Sequence, residues 1–265
     1  MYRIILFIII VLCSVSACKQ DQSAATQDAE TIKNPALLDS AIWVTRKAIE
    51  VHGGKAFLNS IIEFDFREHH FKVTRKGGSF SYERIGKDST GNTLRDVLTN
   101  ANFHRERNGQ KLTLTEKDSS AFANSVNSVV YFALLPYFLQ DRAVKKTLLG
   151  KSVIKGEPYY KIAVQFDQAG GGKDFQDKYT YWFHQERFTM DYLAYTYETD
   201  EGGARFREAY NIRNIQGIHF ADYRNFKPKT ADDRDLENFD RAFQNGGLEE
   251  ISTVELKNVK VHLLD

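Results

Sequence analysis

From Tyr160 to Phe226, apolar and polar residues alternate with a period of two, and the gaps between the alternating runs are short. Tyr160, Ile162, Val164 and Phe166 point one way and Lys161, Ala163 and Gln165 the other, as neighbours on a strand must. Residues 179–184, 190–199, 204–213 and 218–226 continue the pattern as consecutive runs joined by short turns. A parallel crossover takes about a dozen residues or more, so these runs predict an antiparallel meander. Gly202-Gly203 and Gln216-Gly217 supply the positive φ angles that tight hairpins need.

Two runs change phase. Ile62, Phe64 and Phe66 share a parity that Phe71 and Val73 do not, and Val254 and Leu256 give way to Val259, Val261 and Leu263. An extra residue in a strand, a bulge, restores the apolar face and bends the sheet. The expectation is a mainly β fold with helices (α+β): a curved antiparallel sheet, or incomplete barrel, closed by two or three helices.

Helical spacing marks where those helices lie. Asn34-Pro35 is a good start, with Leu38, Ala41, Ile42, Thr45, Ala48, Ile49 and His52 recurring along one face and Gly53 able to end it. A second helix is predicted over residues 119–135, capped by Asp118 or Ser119. It runs into Tyr131-Phe132-Ala133-Leu134-Leu135-Pro136-Tyr137-Phe138-Leu139, which is too apolar for an exposed loop. That stretch is expected to be buried or to cover something. A shorter third helix carries Leu236, Phe239 and Phe243.

The amino terminus decides the compartment. Arg3 precedes an apolar run from Ile4 to Leu12, which reads as a secretory signal and is shorter than the roughly 20 residues of a spanning helix. Val15-Ser16-Ala17-Cys18 resembles a bacterial lipobox, so residues 1–17 are expected to be removed and Cys18 to carry a diacylglyceryl group and further acyl chain, such as palmitate. Two or more chains anchor stably where one does not. Residues 18–33 then form a polar tether, and residues 34–265 a single domain of half-barrel type. Lys19-Gln20-Asp21-Gln22 has no Asp directly after Cys18, which points to the outer membrane by analogy with enterobacterial sorting, with either its periplasmic or its outer face open.

Charge and cysteine usage exclude several functions. Removing Arg3 from 36 basic residues leaves 35, against 35 acidic ones. A neutral chain has no basic field for nucleic acid. With Cys13 in the signal and Cys18 acylated, no disulfide, thiol nucleophile or cysteine-ligated metal can form within one chain. Gly170-Gly171-Gly172-Lys173-Asp174 and Gly53-Gly54-Lys55-Ala56 lack phosphate-loop spacing, no Gly-x-Ser-x-Gly elbow occurs, and the seven histidines form no His-Glu-x-x-His pair. Asp232-Asp233-Arg234-Asp235 lacks the glycine and bidentate glutamate of a calcium loop. No cofactor is implied.

Two groupings remain as candidate sites. The aromatic and aliphatic residues Tyr131, Phe132, Leu134, Leu135, Tyr137, Phe138 and Trp182 read either as core or as the wall of an apolar cavity. Glu68, His70, Arg205, Arg207 and Asp222 are polar residues on strands, placed either outside in water or as a cluster meeting a ligand's head group.

Ile49-Glu50-Val51-His52-Gly53-Gly54, residues 131–141, Asp177-Lys178-Tyr179-Thr180-Tyr181-Trp182 and Gly202-Gly203-Ala204-Arg205-Phe206-Arg207-Glu208-Ala209-Tyr210-Asn211 together resemble a family of uncharacterised lipoproteins from Bacteroidota. That family is similar to the periplasmic lipoprotein-carrier and outer-membrane lipoprotein-receptor proteins. The resemblance implies a curved half-barrel closed by helices around an apolar cavity. The leading expectation is therefore a non-enzymatic, membrane-tethered protein that binds or transfers a lipid, an acylated ligand or a lipoprotein. The alternatives are an envelope enzyme, hydrolase-like, with the five polar residues as its cleft, and a structural adaptor for another envelope protein.

Overall fold

A computed structural model describes residues 35–167, 177–198, 202–230 and 233–264. The leader, Cys18, the tether, the glycine run at 170–172 and Asp232 lie outside the described residues. Residues 36–265 form one compact unit.

Helix α1 (Pro35–Val51) and the short α2 (Gly54–Leu58) precede six strands: β1 (Asn59–Phe66), β2 (His69–Lys76), β3 (Ser79–Lys87), β4 (Thr93–Thr99), β5 (Phe103–Arg107) and β6 (Gln110–Lys111). Helix α3 (Glu116–Ala133) and a 3-10 turn (Tyr137–Gln140) follow. Next come β7 (Val144–Ile154), β8 (Glu157–Phe166), β9 (Tyr179–His184), β10 (Met190–Tyr197), β11 (Gly203–Ile215) and β12 (Ile218–Pro228). Helix α4 (Phe239–Gln244), β13 (Leu248–Val254) and β14 (Lys257–Leu263) complete the order.

The strands make two seven-stranded antiparallel sheets, β14-β1-β2-β3-β4-β5-β6 and β13-β12-β11-β10-β9-β8-β7. Neither closes on itself, so the architecture is the open, curved β structure with helices that the alternation and the resemblance both imply. The meander is as expected, and Gln216 (φ 53°) with Gly217 (φ 85°) makes the tight turn between β11 and β12.

The first phase change has a different origin from the expected bulge. Arg67 takes φ 54° and, with Glu68, forms a two-residue turn that ends β1 and starts β2. Ile62 then faces Val73 and Phe64 faces Phe71 across the ladder, so even and odd numbers share one face. The Phe64 and Phe71 rings stack with centroids 5.3 Å apart. The second phase change combines a crossing between sheets, with β13 on β12 and β14 on β1, and the expected bulge in β14, where the step from Lys257 to Lys260 faces the shorter step from Asp65 to Glu63. Further curvature comes from register shifts at Leu148/Gly150, Met190/Tyr192, Tyr210/Arg213 and Asn225/Phe226.

Helix α3 begins earlier than expected, because Thr115 accepts the Asp118 N–H at 3.1 Å and so caps the turn before Asp118 or Ser119 can. Its Val126 and Val130 pack on Ile62, Phe64, Phe71 and Val73 of the first sheet. Asp96, almost fully buried, accepts from Arg84 (2.6 Å) and Arg105 (2.6 Å). Arg84 also donates to Ser125 Oγ at 2.7 Å, and the Arg105 guanidinium lies over the Phe122 ring, so this triad fastens α3 to the sheet. Helix α1 buries Ala41, Val44 and Ala48 against Ile162, Tyr181, Phe183 and Leu193 of the second sheet. The third expected helix is a 3-10 turn (Leu236–Asn238) running into α4, which covers the other face of that sheet. Strand β9, covered on both sides, is buried at every position.

The His52-Gly53 motif joins α1 to the sheet. His52 Nδ1–H donates to the Ala48 carbonyl at 2.7 Å, which leaves Nε2 to accept the Met190 N–H at 3.4 Å. The His219 N–H in turn donates to the His52 carbonyl at 3.2 Å. Gly53 holds φ 133°, and a Cβ there would stand 3.1 Å from Ile218 Cγ1, so the position favours glycine on both counts.

Candidate functional site

The helices do not fill the hollow. A cleft of about 960 Å³ remains, floored by β10–β12 and walled by α3 and the β1–β2 turn. Tyr195 and Tyr197 of β10 share one parity, and register places Tyr195 opposite Arg205 and Tyr197 opposite Gly203. Arg207, two residues on from Arg205, faces the same way. Ala221 and Tyr223 of β12 continue this floor, Val129, Phe132 and Ala133 of α3 overhang it, and Phe66 and Arg67 stand at the rim.

Close packing builds the floor. A Cβ on Gly203 would lie 2.7 Å from Tyr197 Oη, so the glycine makes room for the ring that lines the cleft. The Arg207 guanidinium sits over the rings of Phe132 (4.8 Å) and Tyr195 (5.2 Å) and donates to Tyr195 Oη at 3.0 Å. Arg205 lies over Tyr197 at 5.0 Å and donates to the Ala204 carbonyl at 2.8 Å. Burial pushes the Tyr223 hydroxyl above the usual phenol range, and the charge of Arg207 pulls it partly back. The cleft thus joins aromatic walls to fixed positive charge.

Of the apolar residues singled out in the sequence, only Phe132 lines this cleft. Leu134, Leu135, Tyr137 and Phe138 are buried in the core, where they border voids of at most about 20 Å³ or none. Tyr131 packs its ring on Phe138 at 5.3 Å. Trp182 is fully buried against Phe206 and Phe239 in the core beneath α4, which corrects its placement as a cavity wall. The run at 131–139 is therefore mainly a plug between sheets, with one ring exposed to the hollow.

The five polar residues are not brought together. Glu68 is exposed in the β1–β2 turn. His70 Nδ1 is 2.7 Å from Asp65 on the neighbouring strand. Asp222 accepts the Leu256 N–H at 2.9 Å, Asn211 Nδ2 at 2.6 Å and Arg213 at 3.0 Å, a network that secures the crossing from β13 to β14. Arg205 and Arg207 alone of the five line the cleft. No acid–base pair is assembled from the five, and among the described residues no group of three or more His, Cys, Asp or Glu could hold a metal. Sequence reading missed Tyr195, Tyr197, Tyr223 and Arg67; the shared parity of the two tyrosines, carried across the hairpin to Arg205, was the available signal.

The model of a family described as of unknown function, DUF6503, matches residues 3–255. The chain belongs to the DUF6503 family. No curated protein matches this DUF6503 member in sequence. Solved structures similar to it include a DUF1329 family protein from Desulfovibrio piger, with 9% identity, a TM-score of 0.46 and coverage of 83% of this chain and 92% of that one. A LolA superfamily protein from Nitrosomonas europaea is similar at 12% identity and TM-score 0.44, covering 85% of this chain and 94% of that one. A putative outer membrane lipoprotein-sorting protein domain from Vibrio parahaemolyticus is similar at 7% identity and TM-score 0.44, covering 85% and 93%.

Proposed function

We propose that this DUF6503 protein is an envelope-anchored lipoprotein that binds or transfers a lipid or acylated ligand in its cleft. The observation that carries the reading is the unfilled hollow of about 960 Å³ between the second sheet and α3. Small-molecule sites run from about 300 to 1,000 Å³, and this cleft sets the apolar surface of Tyr179, Tyr195, Phe132 and Val129 beside a comparable polar surface that includes Arg205 and Arg207. Each methylene moved from water into such a site gains about 0.8 kcal/mol, so a dozen gain on the order of 10 kcal/mol before ordering costs.

Attachment through Cys18 belongs to the same proposal. Among the described residues no helix is long and apolar enough to cross a membrane, and the lipobox offers an acyl anchor instead. Acyl chains on Cys18 would hold the cleft near the outer membrane through residues 18–33. Native mass spectrometry of the chain from Cys18 onward, made without its leader and so unacylated, tests the ligand. Co-purified lipid, or stoichiometric uptake of added fatty acid, is the expected result. Protein that stays empty with fatty acid in excess refutes it.

A further inference from the structure

We propose that the cleft selects an anionic amphiphile, whose carboxylate or phosphate is held by Arg205 and Arg207, with Arg67 at the rim. This rests on the lipid-binding reading above and names the chemical class of the ligand.

The argument is one of missing counter-charge. Arg84, Arg95, Arg105, Arg187, Arg213 and Arg234 each lie within 4 Å of a carboxylate. Arg67, Arg205 and Arg207, the three arginines of the cleft, have no carboxylate partner among the described residues. Each is laid instead on an aromatic ring: Arg67 on Phe66 at 5.2 Å, Arg205 on Tyr197, and Arg207 against both Phe132 and Tyr195. Stacking fixes a guanidinium and partly offsets its lost hydration, yet leaves its edge N–H groups to donate. Arg207 Nε is buried and has no hydrogen-bond partner among the described residues. A cation partly withdrawn from water without an opposite charge is disfavoured, and an incoming anion would supply what is missing.

The acidic residues of the cleft do not supply it. The Glu198 carboxylate is taken by Arg234 at 3.0 Å, and Asp177 has an interaction of its own. Arg205 and Arg207 stand two residues apart on one strand face, so their side chains can converge on one head group, while Phe132, Val129 and Tyr223 face the space beside it. Guanidinium matches both carboxylate and phosphate through paired N–H donors, so geometry favours either acid over a neutral head.

The test compares ligands of equal chain length at pH 8 and low salt, on the unacylated chain from Cys18 onward. Palmitate and palmitoyl lysophosphatidic acid are the anionic arms, and monopalmitoylglycerol is the neutral one. Both anions, or one if the site distinguishes carboxylate from phosphate, should bind tenfold or more tighter than the neutral ligand, about 1.4 kcal/mol. The Arg205→Gln/Arg207→Gln variant should lose that preference while still binding monopalmitoylglycerol, which doubles as the check that it folds. Should that variant not fold, the wild-type preference and its weakening with added salt decide the matter. Equal affinity for charged and neutral ligands in the wild type overturns the anion site and leaves lipid binding standing. A preference that survives in the double glutamine variant overturns it as well. Binding of none of the three removes both proposals.

Discussion

Acid should weaken this fold through His52. Burial, with the neighbouring His219, pushes the His52 imidazole down from 6.5 to about 4. The unfolded chain takes up a proton near pH 6.5 that the folded chain refuses until about pH 4, so stability falls as pH drops between those values. The slope is about 1.36 kcal/mol per pH unit, giving a loss of about 2.5 kcal/mol between pH 7.5 and 4.5. Burial of the ring outweighs the Nδ1–H bond to the Ala48 carbonyl, which favours the charged form, and protonation at Nε2 would cost the bond from the Met190 N–H. In His52→Asn the amide can still donate to Ala48 but cannot reach Met190, which should remove about 1 kcal/mol at neutral pH. Asparagine does not titrate, so the variant should lack that part of the acid slope. Urea unfolding at several pH values, extrapolated linearly to water, measures both curves. The expected result is wild type more stable at pH 7.5 and the variant equal or more stable at pH 4.5. Parallel curves would refute the coupling. Asp65 and Glu106, both held below the usual carboxylate range by hydrogen bonds, lose their contribution only at lower pH and do so in both proteins.

Asp96→Asn should destabilise by about 3–5 kcal/mol, because Arg84 and Arg105 are left without their shared buried carboxylate; a lowered denaturation midpoint together with faster hydrogen exchange in α3 would show it. Trp182→Ala should remove about 3–5 kcal/mol of stability and leave ligand affinity unchanged, since the indole lies beneath α4 and away from the cleft; calorimetry and ligand titration on one sample separate the two effects. Phe132→Ala should do the reverse, with a smaller stability loss and a severalfold weaker affinity for acyl ligands, as its ring both lines the cleft and supports Arg207. Cys18→Ala should abolish incorporation of labelled palmitate; unchanged labelling would remove the lipobox assignment.

The meander was readable because β8, β10, β11 and β12 alternate and their turns carry glycine. The boundaries that went astray share a cause. Arg67 adopts a left-handed backbone without being Gly, Asn or Asp, so nothing in its identity announces a turn, and the phase change beside it looked like an inserted residue. Core and cavity wall could not be told apart for Trp182 because β9 is covered on both faces, and period two separates faces without saying which one is concave. The division into two sheets was equally hidden: Glu255-Leu256 reads as the interior of one strand, and only the long-range hold of Asp222 on Leu256 N–H shows the crossing. At the site, residue types were visible but their company was not. Arg205 and Arg207 were identified with Asp222, His70 and Glu68, whereas the contacts that give them meaning are rings contributed by α3 and β10.

Strand β14 lies along β1, with Ser60 opposite Leu263, so the first sheet's earliest strand is sealed by residues synthesised after every strand of the second sheet. Until those residues emerge, β1 presents a bare row of N–H and C=O groups, a template for any other extended chain. A growing polypeptide of this kind lacks that seam until β14 has emerged, and deleting Lys257–Leu263 would reopen it. Loss of that segment should therefore make β1 the sheet's open edge in place of β14.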